Sequence, residues 1–152
     1  MDIVTEEIAN ALRSLSIPQR EFSQVPSIEG ERLYKELVAH FVVGGDRRWW
    51  WEAFAIPSAS REFMDGKGFE RITELVPDPV EVVWFVVEDV QMPFYPIYEA
   101  TPVAIQKVIG ECYGFEYYLV PKSRAWLLCE NHHNRMIGLG EEITTRLESC
   151  NA

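Results

Sequence analysis

The chain of 152 residues is 47% hydrophobic and 25% charged, a composition that supports one core and excludes a chain that stays disordered. Its net charge of −10 opposes phosphate backbones and anionic headgroups, so the expected partner is another protein with a basic surface, with no nucleic acid and no membrane. Cys112, Cys129 and Cys150 match neither a disulfide framework nor a Cys-x-x-Cys knuckle, and the opening around Asp2, Glu6 and Glu7 has no secretory pattern, so a soluble cytoplasmic domain is expected.

Ile3, Ile8, Leu12 and Leu15 recur at helical spacing, with Asp2 as a cap and Glu6 and Glu7 in the first turn, which predicts a first helix. Pro18 and Pro26 bound a polar connector. Ser27 is then expected to cap a second helix that buries Leu33, Tyr34, Leu37, Val38 and Phe41 and ends at Gly44 and Gly45. Aromatic enrichment over residues 47–56 predicts a strand with Trp49, Trp51 and Ala53 on one face and Trp50, Glu52 and Phe54 on the other. Residues 57–68 lack either period and read as a surface loop, followed by a short helix over 69–75.

After the turn signal Pro77-Asp78-Pro79, residues 80–87 are apolar at both parities and predict a central strand covered on both faces. Pro93, Pro96 and Pro102 punctuate an extended segment carrying Phe94, Tyr95 and Tyr98. Thr101-Pro102 opens a helix that runs to about Cys112, with Gly114 in a left-handed position after it. Three short strands over 115–120, 125–130 and 135–139 predict an antiparallel meander, with a terminal helix over 141–147. The fold class is α+β: a single domain over 1–152 in which an antiparallel sheet ending in that meander packs against the amino-terminal and middle helices.

Chemistry concentrates at Cys129-Glu130-Asn131-His132-His133-Asn134. Adjacent residues on an extended chain point to opposite faces, so His132 and His133 cannot share one ion unless the turn redirects them. Cys129 sits in an apolar strand as a buried thiol, not a nucleophile paired with His132. No glycine-rich phosphate loop, nucleophile elbow or dinucleotide fingerprint is present, so no catalytic residue, no metal ligand and no cofactor are assigned. Exposed aromatic side chains suit a protein interface, and the candidate binding residues are Trp50, Tyr95, Glu130, His132 and His133.

The residues Glu116-Tyr117-Tyr118-Leu119-Val120, the segment Ala125-Trp126-Leu127-Leu128-Cys129-Glu130-Asn131-His132-His133-Asn134, and Ile137-Gly138-Leu139-Gly140 resemble a family of small uncharacterised bacterial domains. That resemblance implies a compact α+β fold and no assigned activity. In size, charge and layout the chain is also similar, at a distance, to immunity proteins of bacterial toxin systems such as the SUKH superfamily, and no functional residue carries over from them. The leading expectation is a non-enzymatic, protein-binding, immunity-type module, monomeric or homodimeric, with a basic toxin or host factor as its partner. The alternative is a small metal-dependent or hydrolytic enzyme built on Glu130, His132 and His133.

Overall fold

The computed structural model describes residues 3–46, 48–89 and 94–150. In chain order these form α1 (Ile3–Ser14), β1 (Phe22–Gln24), α2 (Ser27–Phe41), β2 (Ser58–Glu62), α3 (Ile72–Leu75), β3 (Val83–Val87), β4 (Ile97–Ala100), α4 (Pro102–Gly110), β5 (Tyr117–Pro121), β6 (Leu127–Glu130), β7 (Arg135–Leu139) and α5 (Glu141–Ser149). The described strands join in one sheet in the order β1-β4-β3-β5-β6-β7-β2, and every pairing is antiparallel.

The strands that are apolar at both parities occupy the middle of this sheet, as burial on both faces requires. Every residue of β5 and β6 is buried, and in β3 only Trp84 is partly exposed. Period-two alternation then divides the core in two. Phe85, Val87, Tyr117, Leu119, Leu128 and Met136 pack with Ile8, Ile72, Leu75, Ile105, Ile143 and Leu147. On the opposite face Val86, Tyr118, Val120, Leu127 and Cys129 pack with Leu33, Tyr34, Leu37, Phe41 and Trp50. The result is three layers: α1, α3, α4 and α5, then the sheet, then α2 with the tryptophan segment.

Local signals account for several elements. Thr101 Oγ1 accepts from the Ala104 N–H at 3.2 Å and Pro102 starts α4, a capped start with proline where its missing N–H costs nothing. The stripe Leu33, Tyr34, Leu37, Val38 and Phe41 of α2 is buried as the spacing predicts. The helix starts at Ser27, however, and the residue in the capping position is Pro26, whose ring offers no acceptor. The meander β5-β6-β7 and the terminal helix follow the sequence, while Asp2, Arg47, Met92 and Pro93 lie outside the described residues.

Three further expectations are corrected. The described part of the 47–56 segment, residues 48–56, is no strand: Trp50–Glu52 forms a 3-10 turn, followed by an isolated bridge between Val42 and Phe54. Trp50 is fully buried, its backbone N–H donates to the Tyr118 hydroxyl at 3.1 Å, and its ring stacks on that of Tyr118 with centroids 4.6 Å apart. Burying a ring of this size stabilises by about 3 kcal/mol or less, and the chain turns to place it. Trp49 and Trp51 stay together on the outer side, 6.0 Å apart.

The 57–68 loop contains the edge strand β2, paired along its length with β7. Its inward residues include Arg61, which donates from Nε to the Leu147 carbonyl at 3.1 Å and from Nη2 to the Glu148 carbonyl at 2.8 Å. A cation on the last carbonyls of α5 serves the helix end as an apolar side chain would not, so the strand shows no apolar alternation. The 18–26 connector holds β1, too short for a period to show, with Phe22 as its buried anchor.

Candidate ligand cleft

The register of the central strands brings three carboxylates to one end of the sheet. Val87 lies opposite Tyr117, and Tyr117 lies opposite Glu130. The next residues, Glu88 and Glu116, are joined by the Glu88 N–H donating to the Glu116 carbonyl at 2.9 Å. Alternation sends Glu130 to the Tyr117 face and Glu116 to the Tyr118 face, so the cleft between them straddles the sheet end. Its volume is about 550 Å³. Arg48 and Trp49 form one wall, the β6–β7 turn with His132 and Asn134 another, and Phe69, Cys112, Tyr113 and Phe115 the side facing α4.

Glu116 organises the turn. Its side chain is 5% exposed, and its Oε2 accepts from the backbone N–H of His132 at 2.7 Å while lying 2.6 Å from His132 Nδ1. The other oxygen, Oε1, has no hydrogen-bond partner among the described residues. Asn131 holds the rest of the turn, its Oδ1 accepting from His133 N–H at 2.9 Å and Arg135 N–H at 3.2 Å, and Asn134 takes the left-handed conformation at φ 60°.

His132 is 46% exposed and packs beside Trp49, with centroids 5.2 Å apart. Carboxylate and indole together set the orientation of this imidazole. With Nδ1–H donating to Glu116, Nε2 is the basic nitrogen.

Glu130 accepts from the Tyr117 hydroxyl at 2.7 Å. Burial pushes its carboxyl above the usual value, and the Tyr117 hydrogen bond opposes that shift. Gly68 packs so closely here that a Cβ would stand 3.0 Å from Met136 and 3.1 Å from Glu130 Oε2. Glu88 accepts from Arg48 Nε at 3.0 Å, and the guanidinium of Arg48 lies over the Trp49 ring at 4.9 Å. The Cys112 thiol is pushed up to about 11, first by burial and then by the Glu7 and Glu111 carboxylates, which keeps it protonated and a poor nucleophile at neutral pH. Burial likewise raises the fully enclosed Cys129 thiol.

Of the residues singled out from sequence, Glu130 and His132 meet in the cleft. His133 is exposed and stands outside its walls, with its ring 4.0 Å from that of His132 and 5.9 Å from that of Trp51. Trp50 is core, and the tryptophan that lines the cleft is Trp49. Tyr95 is buried behind that wall, its hydroxyl donating to the Arg48 carbonyl. Glu116, the residue that sequence reasoning missed, carried one signal: a carboxylate directly before two aromatic residues of a buried strand. Among the described residues no three His, Cys, Asp or Glu side chains converge to hold a metal ion. No described helix is long and apolar enough to cross a membrane.

A concave site lined by three carboxylates at the end of a helix-covered antiparallel sheet defines an α+β domain with a candidate ligand cleft. The chain belongs to a family of unknown function, DUF6756, which it matches over residues 2–151. No curated protein and no solved structure matches it.

Proposed function

We propose that this protein is a non-enzymatic binding module of the immunity type, which recognises a basic protein through the acidic cleft. The observation that carries this reading is the grouping of Glu88, Glu116 and Glu130 at one sheet end, where among the described residues Arg48 is the one arginine or lysine in the walls and is already engaged by Glu88. A net charge of −10 extends that negative field beyond the cleft and would raise the encounter rate with a cationic surface. Tyr113, 99% exposed at the rim, and Trp49 within the wall are the aromatic groups an interface uses as anchors.

The test is crosslinking from a photoreactive residue at position 113 in the native host. A basic protein should be captured by the wild type and lost on the charge reversals Glu88→Lys and Glu116→Lys. Capture undiminished by both reversals, or recovery of small molecules alone, would remove the reading.

A second reading, a small hydrolytic or proton-transfer enzyme, is favoured by the 2.6 Å contact that orients His132 through Glu116. A carboxylate-fixed imidazole in one cleft with a second carboxyl whose pKa burial raises is the pairing that general acid–base chemistry uses. In it Glu116 replaces His133 as the third member, beside Glu130 and His132. It requires that His132→Ala abolish turnover of a substrate still bound by the variant. If His132→Ala and wild type process a panel of esters, amides and phosphoesters equally, the enzymatic reading fails.

A further inference from the structure

Resting on the cleft as a protein-binding site, we propose that its occupant is the guanidinium of an arginine side chain of the partner, and that Arg48 holds part of that place in the free protein. Glu116 supplies the first argument. Its side chain is 5% exposed, its Oε2 is taken by the backbone N–H and Nδ1 of His132, and its Oε1 has no hydrogen-bond partner among the described residues although Glu116 lines the cleft. A buried carboxylate oxygen without a donor is a position where a bound cation gains a charge-assisted hydrogen bond that the free protein lacks.

The second argument is Arg48 itself. Its side chain is 58% exposed while the Glu88 it binds is 13% exposed, so the buried half of the pair belongs to the wall and the guanidinium comes from solvent. That guanidinium makes two contacts at once, an N–H to a carboxylate oxygen at 3.0 Å and the face of an indole at 4.9 Å. A planar, weakly hydrated fork satisfies both, whereas a compact ammonium does not stack. The wall therefore already binds the chemical group assigned to the partner, through a side chain exposed enough to be displaced. Exchange would leave Glu88 and Trp49 satisfied by the incoming arginine or by Arg48, with Glu116 Oε1 as the additional acceptor.

The test is a titration of the ¹⁵N-labelled full chain with N-acetyl-arginine amide and with N-acetyl-lysine amide at one fixed ionic strength, reading the Trp49 indole N–H and the backbone N–H of His132. Saturable shifts at both positions are expected with the arginine probe, and several-fold weaker binding with lysine. Arg48→Ala, a surface change that leaves the core intact, should bind the arginine probe several-fold tighter because it removes the resident competitor. Glu116→Gln should bind it roughly tenfold more weakly or worse, tenfold being 1.4 kcal/mol.

Equal binding of the two probes, or unchanged or weaker binding by Arg48→Ala, overturns the assignment. If that happens while charge reversal still abolishes capture of a protein, the binding role stands and the guanidinium is wrong. If the arginine probe behaves as expected but capture survives charge reversal, the cleft takes a guanidinium and the protein-binding role is wrong.

Discussion

Glu130 is the residue whose environment makes the sharpest physical statement. Its carboxyl is driven above the ordinary 4.5 by burial, against the stabilising hydroxyl of Tyr117. Because the folded value exceeds the unfolded one, the folded state holds the proton more tightly. The group therefore costs nothing below the unfolded value, and stability falls as pH rises from there through the folded value. Glu130→Gln keeps the shape and the hydrogen bond from Tyr117 and removes the charge. The melting temperature of this variant relative to wild type should thus increase as pH rises above about 4, and a difference that stays flat with pH would show that burial does not penalise the charge. The sequence marked Glu130 and His132 as chemically interesting because they stand together in the chain. It could not mark Glu116, whose meaning comes from lying across the sheet from the histidine turn.

Elements were legible in proportion to how fully their own side chains explain them. The helices α1, α2 and α4 carry apolar stripes of period 3.6, and β3 and the meander carry apolar runs or alternation, so each was visible. The strand β2 was not, because its partly buried residues are Ala59 and Arg61 and its place is set by β7 and by the carbonyls of α5. The tryptophan segment misled for a related reason: strand-like composition was overridden by the single demand that Trp50 reach Tyr118.

Gly138 belongs at this scale too. Here α5 closes down on the sheet, and a Cβ on Gly138 would stand 2.3 Å from Ile143 Cγ2. Gly138→Ala is therefore expected to destabilise by about 1–3 kcal/mol, the usual cost of overpacking, read as a lower urea midpoint. An unchanged midpoint would mean that α5 is free to move away.

For the molecule as a whole, β3, β5 and β6 contribute residues to both apolar layers, so neither layer can melt while the other keeps its sheet. Far-ultraviolet circular dichroism and tryptophan fluorescence should follow one coincident unfolding transition. Trp50→Ala should lower stability by about 3–5 kcal/mol without splitting that transition, whereas two separated transitions would show that the layers are independent. The sequence by itself determined the α+β class, the two-faced central strands, most helices and an acidic surface, because hydrophobic period and charge are properties of contiguous residues. Only the tertiary structure decided that Glu88, Glu116, Glu130 and His132 share a cleft with Arg48 and Trp49. Alternation tells which face a side chain takes, but the neighbour it meets there depends on strand order and register, and these are set by the packing of the whole chain.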